Sequence, residues 1–91
     1  MRECMDIPAV TARLKRISGQ IQGISAMVAK DVPCEDILIQ IGAAKAALHK
    51  VGQLVLEGHL HHCVVKGIQN GEVEETLQDL ANAIEQFSRM V

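Results

Sequence analysis

His59 and Cys63 stand four residues apart, so on an α-helix they lie one turn apart on one face and offer an imidazole and a thiolate to the same point. Cys34 stands 25 residues before His59. Adding it gives a Cys-His-Cys set, whose soft sulfur donors favour Cu(I) or Zn(II) over hard cations. Three ligands suit trigonal Cu(I), whereas a structural Zn(II) site takes four. Across a single continuous helix, Cys34 and His59 are separated by roughly 37 Å at 1.5 Å per residue. Metal–ligand bonds of about 2.0–2.3 Å cannot bridge that gap. Either Cys34 has no part in the site, or it comes from a second, antiparallel copy of the chain. Such a pair crosses near Ala47 and Leu48, beside the small residues of Gly42-Ala43-Ala44-Lys45-Ala46-Ala47, which allow close helix approach and also make good helix. Cys34 falls in the first turn of its helix, where the dipole favours thiolate.

The plainer reading is that both cysteines are small packed residues and His59 lies on the surface. His61 and His62 flank the pair but point elsewhere on a helix of about 100° per residue, as solvated groups or partners of ligands. His49 is expected at the surface. Met1, Cys4 and Met5 could add a ligand from an N-terminal arm. Arg13, Lys15 and Arg16 cluster on one helix, and Lys45, His49 and Lys50 on the next. These read as solvated faces, or, repeated over an assembly, as a surface that follows a phosphate backbone. No carboxylate pair, nucleophile–base set or phosphate loop points to an enzyme.

Ninety-one residues make one small domain, for which oligomerisation is a natural source of stability. Apolar residues make up 48% of the chain, with no Trp or Tyr and one Phe; this suits aliphatic helix packing and disfavours base-stacking platforms. Net charge is −2, unevenly spread: residues 1–66 carry eight Lys/Arg against six Asp/Glu (+2), and residues 67–91 one against five (−4). No run of 18 apolar residues predicts a membrane span, and the N-terminus has no apolar signal core, so a cytosolic protein is expected. Three cysteines there fit metal ligands or thiols better than disulfides.

Three helices must position these groups. The first starts near Asp6 as N-cap with Pro8 in its opening turn, and ends around Ala29 or Lys30. Val10, Leu14, Ile17, Ile21, Ile24 and Val28 form its stripe at 4-3 spacing. Gly19 and Gly23 interrupt it one turn apart, predicting close packing by another backbone. Asp31 caps the second helix, with Pro33 in its opening turn. That long central helix runs to about Lys66, ended by Gly67 and Asn70-Gly71. Ile37, Ile41, Ala44, Leu48, Val51 and Val55 form its stripe, widened by Leu38, Ala47, Leu54 and Leu56, so it must be covered on more than one side. The third begins near Glu72, acidic at its N-terminus, with Val73, Leu77, Leu80, Ile84 and Phe87 as its stripe.

The segments RLKRISGQIQGI (13–24), Cys34 followed by ILIQIGAAKAAL, and GHLHHCV (58–64) resemble the CsoR/RcnR family of metal-responsive bacterial repressors over essentially the whole chain. The resemblance implies an all-α dimer of antiparallel helices, assembled into a disc-shaped homotetramer that binds operator DNA and is released by its inducer. It also implies metal sites bridging two protomers, here Cys34 from one and His59 with Cys63 from the other. Copper sensors of the family are similar in their Cys-His-Cys set, so Cu(I) is the expected effector, with Ni(II) or Zn(II) as alternatives because some nickel sensors share that set. A thiol- or persulfide-responsive repressor and a copper-buffering protein are the further alternatives. By the same resemblance Arg13 belongs to the DNA surface, joined by Lys15, Arg16, Lys45 and Lys50. Three positions depart from the family pattern. Pro33 replaces a Tyr common in copper sensors, Gln53 replaces a DNA-binding Arg, and Asp79 replaces the Glu that partners the metal-site His.

Overall fold

The computed structural model describes residues 5–89. Among them the chain is entirely helical, without strands: α1 (Ile7–Ala29), α2 (Cys34–Gly58), a π-helical segment (His59–Val64), α3 (Val65–Gln69) and α4 (Val73–Ser88). Gly58 and Val65, on either side of the π segment, keep ordinary right-handed backbone (φ −61°, ψ −41° and φ −59°, ψ −44°). Hence α2, the π segment and α3 form one rod, and the three expected helices are present as three rods. Asp6 immediately precedes α1, and Pro8 sits in its first turn. Met1 and Cys4 lie outside the described residues; Met5 is half-buried.

Two compact units divide the chain, one spanning residues 7–51 and the other residues 52–89 with the short segment before α1. Within the first, the stripe of α1 separates into two lines, each of period seven. Val10 and Ile17 are buried and Ile24 is half-buried. Leu14, Ile21 and Val28 are 43%, 57% and 63% exposed. In α2, Ala44 and Val51 are buried while Ile41 and Leu48 face solvent. A seven-residue repeat with both lines apolar is the pattern of helices packed on two sides; one side is covered within the chain.

A Schellman turn closes α1: the Val32 N–H donates to the Met27 carbonyl at 3.2 Å, the Asp31 N–H to the Val28 carbonyl at 3.4 Å, and Asp31 adopts φ 59°. Asp31 therefore ends α1 and does not cap α2, a correction to the sequence reading. Its left-handed backbone is spent on the preceding helix. The Pro33 carbonyl instead accepts from the Asp36 and Ile37 N–H groups at 3.1 and 3.3 Å, and opens α2.

The second unit repeats the device at the end of α3. The Glu72 N–H donates to the Gly67 carbonyl at 3.0 Å, the Gly71 N–H to the Ile68 carbonyl at 3.1 Å, and Gly71 takes φ 83°. So the rod runs past Lys66 to Gln69, and Gly67 lies inside a helix rather than terminating one. Glu74 and Glu75 occupy the first turn of α4, where carboxylates oppose the positive end of the helix dipole.

Two glycines seat α4 against the rod. A Cβ at Gly52 would strike the ring of Phe87, and one at Gly67 would strike Thr76. In contrast, among the described residues no atom beyond the local backbone of the same helix lies within 4 Å of a Cβ built at Gly19, Gly23 or Gly42. The close packing expected at Gly19 and Gly23 is thus not found among the described residues of the chain; it occurs at Gly52 and Gly67. Leu80 and Phe87 are half-buried, whereas Val73, Leu77 and Ile84 remain exposed.

Candidate metal centre

His59 and Cys63 both belong to the π segment. In a π turn each N–H bonds five residues back instead of four, so the turn is wider. Residues four apart still fall nearly one above the other, and the imidazole and the thiol line the same cavity of about 360 Å³. Both are half-buried. The opposite wall is the face of α4 that carries Glu72, Glu75, Thr76 and Asp79, at spacings of three, one and three residues.

The two glycine contacts fix how α4 lies along the rod. Gly67 meets Thr76 and Gly52 meets Phe87, so the numbers fall along the rod as they rise along α4, and the two run antiparallel. One turn back from Gly67 is Cys63, and one turn on from Thr76 is Leu80, whose neighbour Asp79 faces the cavity. Asp79 therefore stands level with Cys63, and His59 lies one turn further along. A metal-bound histidine usually donates its other ring N–H to a carboxylate or carbonyl. Asp79 is the cavity carboxylate set furthest along α4 toward His59. The thiol and the imidazole fit a soft cation by donor type, whereas the neighbouring carboxylates are hard donors that serve as hydrogen-bond partners.

Cys34 is the first residue of α2, exposed, and belongs to the other unit. Among the described residues no three His, Cys, Asp or Glu side chains gather closely enough to hold an ion. One chain thus brings two of the three expected donors, His59 and Cys63, into one cavity, and leaves Cys34 outside it.

His62 differs from expectation. An α-helical rotation of about 100° per residue turned it away from the His59–Cys63 face, but it lines the cavity, with its residue exposed to solvent. Three residues from His59, about 60° round an α-helix, His62 is still a neighbour on the same surface, which is the physical reason. His61 is exposed and lies outside the lining, as expected. His49 is half-buried rather than a surface residue. Lys66, Thr76 and Glu75 also line the cavity and escaped the sequence reading. The signal for α4 was present as the three-to-four spacing of Glu72, Glu75, Thr76 and Asp79, on the flank of its apolar stripe.

Arg13, Lys15, Arg16, Lys45 and Lys50 are all exposed, and all lie in the unit of residues 7–51. Arg13 and Arg16 are one turn apart on α1. No helix among the described residues is long and apolar enough to cross a membrane.

The profile of the metal-sensitive transcriptional repressor family matches residues 6–86. The copper-sensing transcriptional repressor CsoR of Bacillus subtilis is 44% identical over 80 residues, 88% of this chain and 79% of that protein. The copper-sensing transcriptional repressor RicR of Mycobacterium tuberculosis is 42% identical over 59 residues, 65% of this chain and 62% of that protein. Among solved structures, the copper-sensing repressor CsoR with Cu(I) from Geobacillus thermodenitrificans is similar with a TM-score of 0.86 and 46% identity, covering 90% of this chain and 85% of that one. The nickel-responsive transcriptional regulator InrS is similar with a TM-score of 0.82 and 34% identity, covering 90% of this chain and 92% of that one.

Proposed function

The chain belongs to the metal-sensitive transcriptional repressors, and on that premise we propose that it is a Cu(I)-responsive repressor that holds operator DNA in its metal-free form and lets go when the cavity is loaded. The observation that carries the reading is the meeting of His59 and Cys63 in one cavity, with the carboxylate wall of α4 beside them. The names of the relatives support copper as the effector.

Cys34 supplies the third donor from a second copy of the chain. The length of α2 motivates this assignment: the helix is 25 residues long, which sets its first and last residues roughly 36 Å apart at 1.5 Å per residue. Exposed apolar lines on α1, α2 and α4 supply the surface that a second copy covers, and a homotetramer, a dimer of dimers, is the assembly we assign. Cu(I), when bound, would be held by the soft donors His59 and Cys63 of one protomer and Cys34 of another, and would supply a bridge between them. His59 and Cys63 hold one side of that bridge, and Asp79 orients the His59 ring by accepting its distal N–H. Because Asp has one methylene fewer than Glu, this hydrogen bond requires α4 to sit close to the rod, a distance set by Gly67 and Gly52.

Arg13, Lys15, Arg16, Lys45 and Lys50 form the phosphate-binding surface. Each neutralised phosphate releases counterions, so affinity falls steeply with salt. Loading of His59, Cys63 and Cys34 shifts the population toward a poorly binding form, with a coupling of about 1–3 kcal/mol for switches of this kind. We assign the protein to the cytoplasm, without a catalytic role.

The test is a titration of protein bound to its own promoter DNA with Cu(I), Ni(II), Zn(II) and persulfide, scored by DNA release. Release by Cu(I) at lower concentration than by the others supports the reading. The likeness to InrS motivates a nickel-responsive alternative, which earlier release by Ni(II) would select. Release by persulfide that survives His59→Ala points to thiol sensing, and absence of DNA binding points to a copper buffer.

A further inference from the structure

We propose that His62 is the capture ligand of the cavity, the exposed imidazole that takes a soft cation from its carrier and hands it inward to His59 and Cys63. The proposal rests on the metal-binding part of the reading above and not on its DNA-binding part.

Three observations converge on His62. It lines the same cavity as His59 and Cys63. It is exposed where they are half-buried, so it is the first nitrogen or sulfur donor that an ion meets on the way in. Its neighbour His61, of identical chemistry and similar exposure, does not line the cavity; capture is assigned to the position and not to a histidine-rich stretch. The resting chain does not gather His59, His62 and Cys63 into a three-donor cluster, which suits a transit position better than a place in the final set. The cavity also carries Glu72, Glu75 and Asp79 against Lys66. Three carboxylates and one ammonium leave a formal balance of −2, which raises the local concentration of cations.

The handover is a ligand exchange without change of oxidation state. His62 forms a bond from a ring nitrogen to the metal as one bond to the carrier, a soft thiolate or chelator complex of Cu(I), breaks. The Cys63 sulfur and a His59 nitrogen then form their bonds as the last carrier bond and the His62 bond break, the carrier leaves, and the Cys63 thiol proton passes to water. Since His62 belongs to neither end state, its removal slows uptake and release equally and leaves the equilibrium in place.

The experiment is stopped-flow transfer of Cu(I) from a chromophoric chelator to the full-length apo protein, with back-extraction by excess chelator. Wild type, His62→Ala, His62→Gln and His61→Ala are compared, and far-UV circular dichroism verifies that each variant is folded. For both His62 variants we expect uptake and extraction each to slow by roughly tenfold, the low end of what local capture adds to an on-rate. Kd stays within about twofold and His61→Ala behaves as wild type. A weaker Kd with unchanged uptake would make His62 a resident ligand and overturn the proposal. Rates unchanged in His62→Ala, or slowed equally in His61→Ala, overturn it as well. Normal transfer kinetics without DNA release overturn the repressor reading alone, whereas a wild type that takes up no Cu(I) removes both.

Discussion

Thr76 lies against the backbone of Gly67 so closely that a methyl group added there would meet its Oγ1, Cγ2 and Cβ atoms. Both residues line the cavity, so this contact joins the stability of the α3–α4 pair to the shape of the metal site. Gly67→Ala should destabilise the protein by about 1–3 kcal/mol, the usual range for overpacking, and should weaken Cu(I) binding. Thr76→Ala in the same chain removes the colliding atoms and should restore much of both. A double-mutant cycle followed by thermal melting and metal titration measures the coupling.

Phe87 is the only aromatic residue of the chain and rests in the notch left by Gly52. Phe87→Ala should cost about 2 kcal/mol, below the 3–5 kcal/mol of a fully buried ring, because Phe87 is half-buried. Loosening of α4 also draws the Asp79 carboxylate away from the rod. The expected signature is a lowered Tm together with a reduced response of DNA release to Cu(I), while metal-free DNA binding persists.

Asp31 holds a left-handed conformation that a glycine adopts without strain. An L-residue there costs about 1–2 kcal/mol, and glycine gives back part of that through a freer unfolded chain. Asp31→Gly should therefore stabilise the fold by up to about 1 kcal/mol, read as a raised midpoint in urea, and Asp31→Val should lower it.

Leu14, Ile21 and Val28 form an exposed apolar line along α1. If a second copy covers it, Ile21→Lys should shift the sedimentation coefficient toward the monomer and abolish DNA binding. The Tm of the wild type should fall on dilution, since association stabilises by mass action. A monomer with unchanged DNA affinity would refute the assembly.

Cys34→Ser, His59→Ala and Cys63→Ser should each leave metal-free DNA binding near wild type and remove release by Cu(I), as read by fluorescence anisotropy. Mixing Cys34→Ser with Cys63→Ser subunits tests the bridge: on random pairing about half of the dimers are mixed and each keeps one intact site of the two, so about a quarter of the sites, and a matching part of the response, should return.

The helix pattern was legible because apolar spacing reports directly on burial. Val10, Ile17, Ala44 and Val51 lie on the stripes read from sequence and are the buried residues of their unit. The ends of helices were less legible: Asp31 has the chemistry of an N-cap and serves as the left-handed end of α1, because the same residue type favours both places. His59 and Cys63 could be paired from sequence since a spacing of four aligns them in an α or a π turn alike. His62 could not, because a spacing of three leaves it about 60° round the helix from His59, between a shared face and a separate one. Neither could Gly67 and Gly52 be told from Gly19 and Gly23, as composition does not say which glycine another side chain will cover. Thr76 and Phe87 answer that only in three dimensions.

The stretch from His59 to Val64 threads its backbone bonds one residue further than its neighbours on either side do. Such a bulge behaves like a single surplus bead on a string. Excising any bead between the two ligands lets the rod close into an ordinary α-helix, with the parts on either side kept near their present rotation. Gly67 then keeps its place opposite Thr76, while the imidazole and thiol come to stand three residues apart instead of four and shift on their face. Length itself, counted to the residue, is therefore a coordinate of this site as surely as the identity of its donors.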